Sequence, residues 1–151
     1  MARIIVLDSG PLGVACDRRG KPDVERFVVW RHHVGANGGM IVIPAVADYE
    51  VRRELIRANA TAGLRRLDQL EQELPLIPVS NAALRRAAEL WALARARGQA
   101  TADDRSLDGD VIVAAQALCY SGEHDQVVVA TENVRHIARF IAAQAWEDIT
   151  P

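Results

Sequence analysis

The chain has 151 residues, half of them hydrophobic and a quarter charged, with a net charge of −2. That length suits one domain, 1–151, with a sizeable core, and the charge excludes a protein that grips nucleic acid through overall positive charge. Apolar runs such as Ile4–Leu7 and Val127–Ala130 are strand-sized and too short to cross a bilayer.

Arg3-Ile4-Ile5-Val6-Leu7 is a β-branched run that reads as a buried first strand, ending at Asp8 and followed by a tight turn at Ser9-Gly10-Pro11. Asp23–Gly35 has helical spacing through Val24, Phe27 and Val28, with Pro22 before it and Asn37-Gly38-Gly39 after it. Met40–Ile43 is a second buried strand, and Pro44 both stops it and suits the start of a helix from Ala45 to about Asn59. Another helix runs from Ala60 to about Leu74, before Pro75. Leu76–Val79 is a short strand, and Ser80 then caps a helix to Arg97, with Gly98 beyond its end. Gln99–Ser106 reads as a loop. Asp108 or Gly109 opens an apolar helix that ends at Ser121-Gly122, Gln126–Ala130 is a further buried strand, and Asn133–Phe140 reads as helical. Strands alternating with helices predict an α/β fold, a mostly parallel sheet with helices on both faces.

Open α/β sheets collect ligands outside the carboxyl ends of their strands. Asp8 follows the first strand directly, Glu50 lies early in the helix after the second, and Thr131 follows the Gln126–Ala130 strand. Asp110 is expected in the first turn of its helix, where the macrodipole favours a carboxylate. Acids brought together from remote segments raise each other's pKa unless a cation intervenes. A hard divalent ion with oxygen ligands is the simplest such cation. Each acid also has a plainer reading. Asp8 is a possible turn former or helix cap, Glu50 has Arg53 three residues on, and Asp48 with Arg52 makes a surface pair. Asp103, Asp104 and Asp108 serve equally as loop solubilisers or caps.

Segments in chain order resemble the PIN-domain family, particularly the VapC-type toxins of bacterial toxin–antitoxin pairs. Ile4-Ile5-Val6-Leu7-Asp8-Ser9-Gly10-Pro11-Leu12 is similar to the opening strand and first acidic motif. Ile43-Pro44 through Asp48-Tyr49-Glu50-Val51-Arg52-Arg53-Glu54-Leu55 is similar to the second. Leu107-Asp108-Gly109-Asp110-Val111-Ile112-Val113-Ala114-Ala115 is similar to the third. Val128-Val129-Ala130-Thr131-Glu132-Asn133-Val134-Arg135-His136-Ile137 is similar to the fourth, with its Thr-x-Asn/Asp pattern. Asn133 stands where some members carry a fourth carboxylate, and Asp108 is the acid available to replace that charge. Ile137 stands in place of a common aromatic residue.

The resemblance implies a PIN-like three-layer α/β/α fold and a metal-dependent ribonuclease, the toxin of a pair. Asp8, Glu50 and Asp110 would hold Mg²⁺ or Mn²⁺, with Asp108 as a further ligand. Thr131 and Asn133 would hold a ligand or water by hydrogen bonds, and Ser9 would steady the Asp8 turn. Arg52, Arg53 and Arg135 are read either as phosphate contacts or as solvated helix faces. The implied partners are RNA, a small antitoxin covering the acids, and a second copy in a homodimer. The helix at Ser80–Arg97, with Leu84, Ala87, Ala88 and Trp91 on one side, would serve a partner or the core. The other reading of the resemblance is a non-catalytic or housekeeping PIN-like RNA-binding protein.

Other chemistries fit these residues worse. A phosphatase built on an Asp-x-Asp pair has Gly10 where the second Asp belongs, and Lys21 is the only lysine. No GxGxxG or GxxxxGK[ST] loop and no GxSxG elbow is present. His32, His33, His124 and His136 lack zinc-ligand spacing. Cys16 and Cys119 are not a CxxC pair and read as reduced, buried side chains of a cytoplasmic protein, in keeping with a chain start that lacks the features of a signal peptide. The bias towards arginine suits phosphate recognition, and genome composition produces it as well.

Overall fold

The computed structural model describes residues 2–98, 104–123 and 125–151, with only the backbone described for 104–106. Its centre is a parallel sheet ordered β3-β2-β1-β4-β5. The strands are β1 (Arg3–Leu7), β2 (Gly39–Pro44), β3 (Leu76–Ile77), β4 (Gln126–Ala130) and β5 (Ala143–Gln144). β1 pairs with β2 on one side, Ile5 beside Ile41, and with β4 on the other, Ile5 beside Val128. Every pairing is parallel, so the expected "mostly parallel" sheet is parallel throughout.

The apolar runs lie at the centre because both of their faces are covered. Ile5, Leu7, Ile41 and Ile43 point to one side and Ile4, Val6, Val42 and Val129 to the other, as a repeat of two requires. The first face is covered by α1 (Ser9–Cys16), α2 (Pro22–Ala36), α3 (Ala45–Arg57) and α4 (Thr61–Glu73), through Leu12, Phe27, Val34, Ala47 and Leu67. The second meets Val113 and Ala117 of α6 (Asp104–Tyr120) and Ile137 of α7 (Val134–Ile137). α5 (Asn81–Ala96) packs Ala87, Leu90 and Ala94 on Leu107, Val111 and Ala114 of α6. Among the described residues, no helix is long and apolar enough to cross a membrane.

Several local expectations are corrected. Ser9-Gly10-Pro11 begins helix α1 instead of a tight turn. Asp8 caps it, its Oδ1 accepting from the Ser9 N–H at 2.8 Å, and Pro11 falls in the first turn, where a missing N–H costs nothing. Helix α6 begins at Asp104, so it includes residues expected in a loop; 99–103 lie outside the described residues. Its apolar stripe already starts at Leu107, 1% exposed, and continues through Val111 and Ala114. Asp110 is therefore not in the first turn, and the macrodipole argument for it lapses.

β3 is only two residues long, held between Pro75 and Pro78. α7 is a single turn, and the chain after it forms β5 and a 3₁₀ turn at Trp146–Asp148. Trp146 closes a triad with Phe27 and Trp30, ring centroids 5.3 to 5.5 Å apart, and Trp30 Nε1 donates to the Ile149 carbonyl at 2.9 Å. On α5 the packed face is Ala83, Ala87, Leu90 and Ala94, whereas Leu84 and Ala88 are exposed. Cys16 is buried as expected, but Cys119 is exposed, and both are free thiols.

Candidate active site

Strand order reverses at β1. The chain builds outward to β2 and β3 on one side, then returns to lay β4 and β5 on the other. A crevice opens outside the carboxyl ends of two strands at such a switch point. Asp8 and Thr131 are the residues that leave β1 and β4 there, and the Asp8 N–H donates to the Ala130 carbonyl at 2.9 Å. The Thr131 hydroxyl donates to Asp8 Oδ2 at 2.7 Å and accepts from the Asn133 N–H at 2.9 Å. With Thr131 at 1% exposure and Asp8 at 7%, this network fixes the Asp8 carboxylate. The Thr131 hydroxyl is thus engaged with Asp8 and Asn133.

α3 supplies the next wall. Val46, Tyr49, Glu50 and Arg53, spaced i, i+3, i+4 and i+7, line a cleft of about 450 Å³ together with Asp8, Ser9, Asp108, Gly109, Asp110, Ile112 and Asn133. Ala47 and Val51 on the adjoining face enter the core. The start of α3 is tied to α6 by Gln116, buried in the core, whose Oε1 accepts from the Val46 N–H at 3.3 Å. Its Nε2 donates to the Ile77 carbonyl at 2.9 Å. Gly109 has its place in the helix because a Cβ there would come within 3.3 Å of Glu50 Oε1. It marks a close approach of α6 to Glu50, not the opening of a helix.

Burial, then the charge of Asp8, raises the Glu50 pKa above the ordinary range, against the opposing pull of Arg53 and a hydrogen bond from Ser9. Ser9 therefore acts on Glu50 as well as on Asp8. Asp110 is pushed up to about 6 by burial, by Asp8 and by Glu50, with Arg139 opposing. Remote segments thus bring Asp8, Glu50 and Asp110 into one field, and the arginines at hand only partly offset their repulsion. Asp108 is exposed at the rim, and the Asn133 side chain lines the cleft. Among the described residues, no group of three or more acidic, histidine or cysteine side chains stands close enough together to hold a metal ion by itself. A larger hollow of about 670 Å³, lined by Gly39, Ile41 and Leu74, opens at the amino end of β2. Asp103 and His124 lie outside the described residues, as does the Asp104 side chain.

Arg52 is not a solvated helix residue, and its pairing with Asp48 is not an ordinary surface pair. Its Nη2 lies 2.9 Å from Asp48 Oδ1, 2.9 Å from Asp68 Oδ1 and 3.5 Å from Glu71 Oε2, so its charge is committed on the far side of α3. Within this group burial raises Asp48, but hydrogen bonds from Glu71 and Arg52 outweigh it, and its pKa is lowered. Glu71 is pushed up to about 7 by burial and by Asp48. Glu71 Oε1 is buried without a hydrogen-bond partner. Arg135 is exposed.

No protein-family model matches the sequence, and no curated protein matches it. Solved structures do. The chain is similar to one in VapBC2 from Rickettsia felis bound to a DNA fragment from their promoter, with a TM-score of 0.70 at 15% identity over 95% of this chain and 98% of that one. It is similar to one in FitAcB from Neisseria gonorrhoeae, with a TM-score of 0.69 at 18% identity over 96% and 99%. The fold is PIN-like. A chain of DNA-bound VapBC from Salmonella typhimurium gives a TM-score of 0.62 at 20% identity over 97% and 99%. The PIN-like, VapC-type resemblance in the sequence motifs thus recurs in the arrangement of the whole chain, at identities where only shape is shared.

Proposed function

We propose that this PIN-like chain is a metal-dependent endoribonuclease and the toxin of a toxin–antitoxin pair. The observation that carries the proposal is the placing of Asp8, Glu50 and Asp110 on one cleft at the β1/β4 switch point, where burial and then the neighbouring carboxylates raise the pKa of Glu50 and of Asp110. Such a donor set fits a hard divalent cation that keeps part of its water shell. Asp8, Glu50 and Asp110 would hold Mg²⁺ or Mn²⁺, with Asp108 at the rim as a further oxygen donor. The ion would supply activation of a water and stabilisation of charge on the phosphodiester.

The protein's own residues set the geometry. Thr131 aims Asp8, Gln116 anchors the start of α3 ahead of Glu50, and Asn133 offers an amide to the phosphate or to the attacking water. The neighbouring VapBC and FitAcB assemblies support a small antitoxin as partner. The exposed Leu84 and Leu93 on α5 support a homodimer contact.

The test is cleavage of single-stranded RNA by RNase-free protein with Mn²⁺ or Mg²⁺ and with chelator. Cleavage that requires metal and disappears in Asp8→Asn is expected, as is growth arrest on expression in bacteria. Binding without cleavage would favour the non-catalytic reading, in which Asn133 has replaced a needed carboxylate. Cleavage that survives chelation would sink the metal mechanism.

A further inference from the structure

Tyr49 precedes Glu50 on the cleft face of α3, yet it remains 59% exposed. The ring does not complete the core, since Ala47 and Val51 fill that role. The Arg53 guanidinium, one turn on, lies 5.1 Å from the ring centroid. That contact restrains the ring without covering it, and it leaves a flat apolar surface and a positive charge on the wall of a cleft whose other charges are mostly negative. Among the described residues, the other apolar side chains on the cleft, Val46 and Ile112, are aliphatic.

We propose that Tyr49, backed by Arg53, is a base-stacking platform that takes an unpaired nucleotide next to the phosphate held at the acids. The inference rests on the reading of the cleft as an RNA-hydrolysing site, and it adds a base-binding contact beside the acids. A polyanion entering this cleft meets carboxylates, so attraction away from the metal comes from groups that are neutral or positive. An aromatic face attracts any base irrespective of charge, and Arg53 suits the flanking phosphate. The bases of a duplex are stacked on each other and have no face to offer the ring. The platform therefore serves an unpaired base, in a single strand or splayed from a loop.

The experiment uses the full chain and a single-stranded oligoribonucleotide carrying 2-aminopurine, whose fluorescence falls on stacking, read on mixing before product forms. Wild-type protein is expected to quench the probe in the single strand and not in a duplex. Tyr49→Ala should lose the quenching and bind roughly tenfold more weakly, within the range of one base–aromatic stack. Tyr49→Phe and Tyr49→Trp should retain both, a rescue that a merely structural role would not give. Equal quenching by Tyr49→Ala overturns the platform, as does a loss that Trp fails to restore. Tyr49-dependent binding of an Arg-rich peptide, with none for RNA, also overturns it and assigns the pair to a protein partner. Failure of the wild-type protein to cleave RNA with Mn²⁺, alongside Tyr49-dependent quenching, removes hydrolysis and leaves the platform. Normal cleavage and binding by Tyr49→Ala removes the platform and leaves hydrolysis.

Discussion

On one face of α3, Asp48 joins Asp68 and Glu71 around the Arg52 guanidinium; on another, Glu50 meets Asp8 and Asp110 across an open cleft. Both groups put carboxylates close together, and both raise the pKa of a member. The first contains its own cation, since the Arg52 guanidinium reaches all three acids. In the second, Arg53 and Arg139 only moderate the repulsion, which a proton on Asp110 or a cation from outside would relieve. The first cluster fastens α3 to α4, and the second is proposed to bind metal and act on RNA.

Neutralising substitutions should separate the two. In the cleft, Asp8→Asn or Asp110→Asn should lower cleavage by roughly a thousandfold or more, equivalent to about 4 kcal/mol of transition-state stabilisation. The metal-free variants should melt at or above the wild-type temperature, because a repulsion has been removed. Arg52→Met should do the reverse. It leaves the partly buried Asp48 and Glu71 and the exposed Asp68 without their cation and should cost about 1–3 kcal/mol, less than breaking a fully buried pair because Arg52 is 30% exposed. Cleavage per folded molecule should hardly change. Calorimetry and single-turnover cleavage of the three variants check this, and a loss of activity in Arg52→Met with normal stability would undo the division of labour.

Metal should act on one cluster only. At a Mn²⁺ concentration of about 100 times Kd, a site present only in the folded state adds about 2.7 kcal/mol, several degrees in melting temperature for a chain of this size. Wild type and Arg52→Met should both show that gain. Asp110→Asn should show little of it, as should Asp8→Asn.

Parts of this contrast were legible in the sequence and parts were not. The β-branched runs at Ile4–Leu7, Ile41–Ile43 and Val127–Ala130 specify central strands because few other structures bury both faces of so short a segment. Once those strands are parallel, Asp8 and Thr131 must emerge at one edge. The sequence does not show that Arg52 turns away from the site, because Asp68 and Glu71 reach it from a separate helix. The pair of Asp48 and Arg52 at i and i+4 looks the same on a surface as in a cluster. Helix α1 was hidden because Ser9-Gly10-Pro11 is as good a turn as it is a capped helix start, and only the packing of Leu12 and Cys16 decides between them. Tyr49 was hidden for the opposite reason, since an aromatic residue beside an acid gives no hint from sequence that it stays exposed.

The pH response follows from the same difference. Asp110 has a folded pKa of about 6 against 3.8 for the unpaired group, so between those values the folded protein binds the extra proton. Metal-free stability should therefore rise as pH falls from about 7 towards 4, the sign expected when the native state holds more protons. Mn²⁺ competes with that proton, so its stabilising effect should be full above pH 7 and fade through about pH 6. Thermal shifts at a series of pH values, with and without Mn²⁺, check both slopes. Asp110→Asn should flatten the metal-free profile. Glu71 titrates nearby, and since metal does not reach it, its share of the slope should be the same with Mn²⁺ as without.

The smallest expected effect tests how closely the cleft is built. Gly109→Ala exchanges a poor helix former for the best one, in itself worth about 1 kcal/mol in favour of the variant. The new methyl would stand 3.3 Å from Glu50 Oε1, closer than most carbon atoms approach an oxygen, so the carboxylate must give by a few tenths of an ångström. Glu50 can yield because its far side opens into the cleft. The net stability change should therefore be under about 1 kcal/mol, while Glu50 is displaced from the other acids. Mn²⁺ affinity should fall several-fold and cleavage with it, leaving metal-free melting near wild type. A control comes from Gly10, where an added Cβ would meet Glu132 Cγ and Cδ at 2.7 Å, side-chain atoms that can swing aside. Gly10→Ala should leave Mn²⁺ affinity closer to wild type than Gly109→Ala does. If Gly109→Ala binds Mn²⁺ as tightly as wild type, Glu50 is not held at the position the metal site requires, and the cleft is a looser cluster than the one beside Arg52.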